Sequence, residues 1–361
     1  MKRRLGSIFG TSDFINNEPS DQLVLPTCFV GVEIEVEGIR QALPAVERQR
    51  KTYLQYNDNI LWEVKNDGSL RTNGKEFVSK KLCGKQLVTA LLDIDQFLGA
   101  LRPKPTWSRC TSVHVHLDVT DLTVPELMYL LGTYILVEDL LFDIAGPDRK
   151  DNFYCMAYSA SEDLQQLLGN LWEQRDNDLS VIRQITEFPK YSALNIGAAR
   201  TFGSIEFRHH HGTHDADTIL LWVNIIMSLK KACYYKIPAD LPELFSSNDP
   251  SYFLEQLFGT LTPLFLVLPD YAAKMRAGVQ LLQDVLRHNL LMKTSLAFTK
   301  APYLNNSPTI PVPTNSWLYL DMDKAYRDDI RIGTGMPNAL DEGADEQNDD
   351  EGDENDNDDN F

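Results

Sequence analysis

No CxxC pair occurs in this chain, and its five cysteines, Cys28, Cys83, Cys110, Cys155 and Cys233, are scattered and odd in number. A disulfide framework and a zinc-ribbon site are therefore not expected, and a reducing compartment fits. The chain also lacks a GxxxxGK[ST] motif, and no GxGxxG follows a strand pattern, so P-loop and Rossmann nucleotide sites find no support. The most apolar stretch, Leu127 to Val137, is too short for a membrane span, which needs ~20 residues. Behind the basic start MKRRLGSIFG there is no apolar segment of the roughly 7–15 residues a signal peptide carries. A cytoplasmic protein without membrane contact is the expectation. No solenoid-type repeat is present.

Positive charge is scarce as well. Lys and Arg number 34 against 52 Asp and Glu, a formal net charge of −18. Twelve of the acids fall in residues 341–361, which hold no Lys or Arg, leaving 40 acids against 34 bases, or −6, for the body. Nothing in this balance favours a nucleic-acid partner. The acidic tail cannot bury enough apolar surface to offset its ordering entropy, so disorder is expected there. It reads as a solubilising tail or as a docking segment for a basic protein partner. Hydrophobic residues at 43% and aromatics at 10% suffice for one large core, or one core with a helical annex.

Strand-like alternation appears over 28–37, 60–65, 75–79, 112–119, 191–197 and 203–209. Asn66-Asp67-Gly68-Ser69 marks a turn. Helical patterns cover 84–101, 160–188 with interruptions, and 250–293. A further helix starts at a capping box, Thr123-x-x-Glu126 with Pro125 in its first turn, and ends at Ala145-Gly146-Pro147. Asp215 caps another, and residues 302–316, with their prolines, read as an extended loop. Strands interspersed with helices, without a βαβα order, predict an α+β fold with a mostly antiparallel sheet.

Successive strand residues point to opposite faces, so Glu33, Glu35 and Glu37 line one face of the first strand at steps of roughly 6.6–6.8 Å, and Val30, Val32, Ile34 and Val36 the other. Like charges in a row repel unless water or a cation stabilises them. Glu76 opposes the face of Phe77. His114, His116 and Asp118 share a face, as do Glu206 and Arg208. Four strands thus set Glu, His or Arg opposite a clean apolar face. Carboxylates with one or two imidazoles form an oxygen-rich site suited to Mg²⁺ or Mn²⁺. An arginine beside it suits phosphate. The run His209-His210-His211 with His214 is set aside as structural or solvent-facing, because consecutive strand residues alternate faces.

These motifs, taken in order, resemble the amidoligase family of the glutamine synthetase and glutamate–cysteine ligase superfamily, common in bacterial and phage genomes. The resemblance rests on Gly31-Val32-Glu33-Ile34-Glu35-Val36-Glu37, Asp67-Gly68-Ser69-Leu70, Glu76-Phe77-Val78-Ser79 and Ser112-Val113-His114-Val115-His116-Leu117-Asp118. It continues through Arg149 with Asn152 and Tyr154, Lys190-Tyr191-Ser192-Ala193-Leu194-Asn195, and Gly203-Ser204-Ile205-Glu206-Phe207-Arg208 followed by Gly212-Thr213. It implies a sheet curved into a half-barrel, with helices on its outer face and two or three Mg²⁺ ions holding ATP on its concave face. By the same resemblance Glu33, Glu35, Glu76 and Glu206 would be metal ligands, with one of His114 and His116 on metal or phosphate. Arg208 would hold the transferred phosphoryl group, and Glu206 and Glu76 would share in catalysis. Lys190 and Asn195 either touch nucleotide or substrate or pack at a strand end, and Asp67 fits a turn former better than a ligand. The implied reaction joins a carboxylate to an amine through an acyl phosphate, on small-molecule or peptide substrates that include cell-wall components. The expected layout is an irregular arm over 1–22, a catalytic domain over 23–330 with its motifs within 28–230 and a helical annex over 240–295, and the acidic tail over 331–361. Two rival readings remain open: a non-catalytic protein that retains the fold, and a single-metal enzyme built on His-x-His.

Overall fold

The computed structural model describes residues 4–6, 18–48, 50–146, 148–235 and 250–298. Eight strands carry the site: β1 (Val30–Val36), β2 (Ala45–Arg48), β3 (Lys51–Tyr56), β4 (Asn59–Lys65), β5 (Lys75–Ser79), β6 (Ser112–Asp118), β7 (Leu194–Asn195) and β8 (Ser204–His211). They form one antiparallel sheet in the order β2-β3-β4-β5-β1-β6-β8-β7. Strands β2 and β7 are its edges, so the sheet is open. The helices are α1 (Gly84–Ala100), α2 (Val124–Ala145), α3 (Glu162–Glu173), α4 (Asp178–Ile185), α5 (Ala198–Phe202), α6 (Ala216–Tyr235), α7 (Pro250–Phe258), α8 (Thr262–Leu266) and α9 (Tyr271–Phe298). Mixed helix and antiparallel sheet is what the sequence pattern predicts.

The apolar face of each inner strand builds the core. Val32, Ile34, Phe77, Val113, Val115, Leu117, Ile205 and Phe207 are all fully buried. Helix α2 packs against β8 and α6 against β6, and the two helices touch one another. Helix α2 is buried along most of its length because α9 covers its far side. Gly278 permits that approach, since a Cβ there would lie 2.8 Å from the Leu136 backbone. At the start of α2, the Glu126 carboxylate accepts from both the backbone N–H and the hydroxyl of Thr123. Asp215 accepts from the Thr218 N–H at 2.7 Å and so caps α6. Helix α1 covers β4 and β5, where Trp62 donates to the Ala90 carbonyl at 3.1 Å and Phe77 meets Phe97 edge to face. The charge that joins α6 to the sheet is Lys230, which is 1% exposed and donates to the Asp118 carbonyl at 2.6 Å.

Three features depart from the sequence pattern. The β2–β3 hairpin was not expected; β2 is largely exposed and shows no apolar stripe to read. The strand expected over 191–197 shrinks to Leu194–Asn195, because the backbone at Ser192 bridges to Met156 instead of to β8. In the expected irregular arm, Arg4 bridges to Thr123 and Leu5 is fully buried. The proline-bearing loop at 302–316 and the acidic tail lie outside the described residues. Among the described residues, no helix is long and apolar enough to cross a membrane.

Candidate functional site

Strand register gathers the predicted residues into adjoining rows on the polar face. Asn195, Glu206, His116 and Gly31 lie opposite one another across β7, β8, β6 and β1. His114, Glu33, Val78 and Glu63 form the next row, and Glu35, Glu76 and Lys65 the third. Directly opposed residues of an antiparallel pair share a face with Cβ atoms ~5 Å apart, so each row places its side chains in contact.

Glu33 is the hub. His114 Nδ1 lies 3.1 Å from its Oε2, and His116 Nε2 lies 3.3 Å from its Oε1. Burial opposes ionisation of Glu33, but both histidines favour its charged form and hold its carboxyl well below the ordinary range. His116 responds in the opposite sense: burial disfavours its charge, and Glu33 more than offsets that and raises it. His116 Nδ1 contacts the Ser204 hydroxyl at 3.1 Å. Its Nε2, though near Glu33, makes no hydrogen bond of good geometry.

Hydrogen bonds fix the His114 tautomer. The Ser112 hydroxyl donates its one proton to Glu35 and lies 2.7 Å from His114 Nε2. Its oxygen must therefore accept from Nε2–H. Nδ1 then faces Glu33 either with a second proton or with a lone pair free for a cation.

Glu206 accepts from Asn195 Nδ2 at 2.7 Å and from Arg208 Nη1. Burial raises its carboxyl, but Arg208 and the two histidines prevail and lower it. Arg208 is 5% exposed. Its Nε donates to the Tyr154 carbonyl at 3.2 Å, and its guanidinium lies 5.7 Å from the Tyr191 ring centre. Burial disfavours its charge, but Glu206, Glu33 and Glu35 stabilise the cation more.

Glu76 has no such partner. Burial, with Glu33, Glu35 and Asp67 beside it and only Lys65 opposed, pushes its carboxyl up to about 9. Carboxylates gathered with so few cations repel one another, and a positive ion among them would relieve that repulsion. Three groups offer ligand atoms within 4.8 Å of one another: Glu206 with His116 and Glu33, Glu33 with His114 and Glu76, and Glu76 with Glu35 and Asp67. Glu33 links the first two and Glu76 the last two, so the donors run as a chain across the sheet. These oxygen-rich donors fit Mg²⁺ or Mn²⁺.

Of the other predicted residues, Glu37, Lys190 and Asn195 fall outside this chain. Glu37 is buried and accepts from the Arg71 N–H at 2.8 Å, holding the loop after β4. Lys190 is exposed and sits 6.0 Å over Tyr191, one ring removed from Arg208. Asn195 orients Glu206. Asp67 forms its turn by accepting from Ser69, as expected, and also stands in the third ligand group.

The histidine run serves the scaffold. A register shift in the β6–β8 pairing, between Val113 and Val115, breaks the alternation. His209 and His210 both pack against Trp222 of α6. Burial pushes His209 down to about 3 and His210 to about 4. Tyr134 gives its proton to Glu138, so His209 Nε2–H donates to the Tyr134 oxygen at 2.8 Å. His211 contacts the Ala145 carbonyl. The shifted strand is held by Arg149, which is fully buried and donates to the carbonyls of Arg208 at 2.8 Å and His209 at 3.1 Å. Asn152 accepts from the Tyr154 N–H, and Tyr154 in turn holds Arg208.

Among families, the one described as "putative amidoligase enzyme" matches residues 26–229, more than half of the chain and the whole of the polar cluster. The chain belongs to this family. Membership supports a ligase-type enzyme. No curated protein matches the chain by sequence.

Proposed function

We propose that this amidoligase-family protein is an ATP-dependent carboxylate–amine ligase that forms an amide through an acyl phosphate. The observation that carries the reading is the chain of three linked ligand groups with Arg208 at one end. In this reading the sheet curves as a half-barrel of glutamine-synthetase type with the cluster on its concave face. Glu206, His116, Glu33, His114, Glu76, Glu35 and Asp67 would hold two or three Mg²⁺ or Mn²⁺ ions. Those ions would offset the negative charge of the ATP phosphates and of the reacting carboxylate.

The protein's own residues then have separate tasks. Arg208, held by Glu206 and Tyr154, offers its guanidinium to the transferred phosphoryl group, where a fixed cation stabilises developing charge. A substrate carboxylate oxygen attacks the γ-phosphorus and ADP leaves. The amine nitrogen then attacks the acyl carbon, phosphate leaves, and the amine gives up a proton to a nearby base. Asn195 keeps Glu206 turned toward the cluster.

The rival with two histidines and a carboxylate around one ion fits less well. Among the described residues no ligand group contains both His114 and His116. A non-catalytic copy of the fold would be free to lose Glu33, Glu35, Glu76, Glu206 or Arg208, and all five are present.

Calorimetric titration of the full chain with a non-hydrolysable ATP analogue tests the reading. The wild type should bind it only when Mg²⁺ is present, and Glu206→Gln should bind at least ~10-fold more weakly, a loss of ~1.4 kcal/mol. Equal binding with and without Mg²⁺, or no binding at all, would sink it.

A further inference from the structure

A pocket of about 180 Å³ lies on the polar face beside the cluster, at the end of β1 away from Glu35. Its walls are mostly apolar, with Phe29, Tyr53 and Phe202 contributing rings. Gly31, which has no side chain to fill the space, is part of its lining. The pocket opens onto Glu33 and His116 and so meets the cluster at the point farthest from the third ligand group. His116 is 9% exposed, lines this space, and its Nε2 makes no hydrogen bond.

The charges around the pocket are unequally matched. Lys51 is paired with Glu63 at 3.3 Å, and Lys81 with Asp118 at 3.7 Å. Lys80 lies 5.7 Å from the centre of the Tyr53 ring and has no carboxylate within ion-pair distance among the described residues. The pocket therefore combines, at an exposed rim, the Lys80 ammonium lying over the Tyr53 ring without a carboxylate partner, an aromatic middle, and Glu33 with His116 at its inner end. It suits a single ring or short side chain, as a cavity of ~150 Å³ suits benzene.

Resting on the ligase reading above, we infer that this pocket binds the amine substrate, and that this substrate is an amino acid or peptide terminus with an apolar side chain. Its carboxylate pairs with Lys80, its side chain packs among Phe29, Tyr53 and Phe202, and its amine points toward Glu33. The polarity of the site sets this orientation. An ammonium is drawn to the Glu33 end, whereas Arg208, beyond Glu206, favours the phosphorylated partner. The two substrates then approach the cluster from different sides.

Three probes test the inference by calorimetry on the full chain: L-phenylalanine, L-phenylalaninamide and N-acetyl-L-phenylalanine. L-Phenylalanine should bind, and loss of either its carboxylate or its free amine should weaken binding about 10-fold or more. Lys80→Ala should weaken L-phenylalanine to a similar degree and leave the amide unchanged. The same variant should bind the ATP analogue with Mg²⁺ as the wild type does. If L-phenylalanine fails to bind while the nucleotide analogue binds, the pocket inference falls and the ligase reading stands. If Lys80→Ala weakens the nucleotide instead, the pocket belongs to the phosphates and the inference is overturned. If L-phenylalanine binds equally well to Lys80→Ala, the carboxylate anchor is wrong and so is the assignment. Failure of the nucleotide to bind the wild type would remove the reading on which the inference rests.

Discussion

Replacing Glu76 by Gln should make the metal-free protein more stable and should weaken its response to Mg²⁺. Glu76 is pushed up to about 9 from an ordinary value of 4.5. Between those two values the folded chain binds the proton and the unfolded chain does not, so this group's contribution to stability falls as pH rises. At pH 7.5 the span above 4.5 is three units, and at ~1.36 kcal/mol per unit the cost is ~4 kcal/mol. Glutamine cannot ionise and escapes that cost, although it forgoes the attraction of Lys65. The gain in EDTA therefore has a ceiling of ~4 kcal/mol. At roughly 2–4 °C per kcal/mol for a domain of this size, that is a rise in Tm of no more than roughly 8–16 °C.

Mg²⁺ should reverse the comparison. A cation that binds only the folded wild type adds RT ln(1 + [L]/Kd), or ~2.7 kcal/mol at a hundredfold excess over Kd. Glu76 belongs to two of the three ligand groups, so the variant should lose at least half of that response. Thermal melts of both proteins, in EDTA and in MgCl2, at pH 6.5 and 8.5, are sufficient. The stability advantage of the variant in EDTA should grow between the two pH values. Suppose instead that the variant melts below the wild type in EDTA, and that Mg²⁺ raises both equally. Glu76 would then be neither a crowded acid nor a ligand, and the electrostatic argument for a cation site would fail at its strongest point.

Two further outcomes follow from the scaffold under the cluster. Arg149→Met should cost ~2–6 kcal/mol in urea unfolding, because it removes the donor to the carbonyls of Arg208 and His209, at ~1–3 kcal/mol each; a change below ~1 kcal/mol would mean that the β8 irregularity does not depend on this guanidinium. His209 and His210, pushed down to about 3 and about 4, take up protons in the unfolded chain first, so stability should fall as pH drops below 6.5. At pH 5 each should cost ~2 kcal/mol. The urea midpoint at pH 5 and 7 is best compared in the Glu76→Gln background, where the opposing contribution of Glu76 is gone, and an unchanged midpoint would refute burial of two neutral rings.

The alternation of β1, β6 and β8 was legible in the sequence because a strand has a fixed period. Glu33, Glu35, His114, His116, Glu206 and Arg208 could all be assigned to one face from spacing alone. Which of them meet could not, since contact depends on register between strands distant in the chain. Glu76 and Glu35 are 41 positions apart and oppose one another only because β5 returns beside β1. Asp67 shows the same gap. Its turn chemistry was plain from Asn-Asp-Gly-Ser, and that turn joins β4 to β5, which sets it at the end of the strand carrying Glu76. A turn former at that place can also be a ligand, and only the location of the turn reveals it. The lysine-rimmed pocket gave no local signal, because Lys51 and Tyr53 of β3, Lys80 after β5 and Gly31 of β1 come from separate segments, and Gly31 contributes by having no side chain.

The histidine run shows how a sound conclusion can rest on an incomplete premise. Strict alternation would send His210 to the face opposite His209 and His211, with one side always on the polar cluster. The register shift on β8 removes that alternation and turns His209 and His210 toward the same helix, against Trp222. Two imidazoles on one side could have made a metal site. Among the described residues they belong to no ligand group: both rings are buried, and the Tyr134 hydroxyl meets the Nε2 of His209 while the His211 carbonyl meets the Nδ1 of His210. The same shift has a second effect on the opposite face. It falls directly after Arg208, and the carbonyls it displaces are the ones Arg149 holds. Arg149, Asn152 and Tyr154, spaced along a loop that never reaches the cluster, thereby set the backbone and the Nε of the one guanidinium on which phosphoryl transfer would depend. That support gives the three residues a role in placing Arg208 through its backbone and Nε.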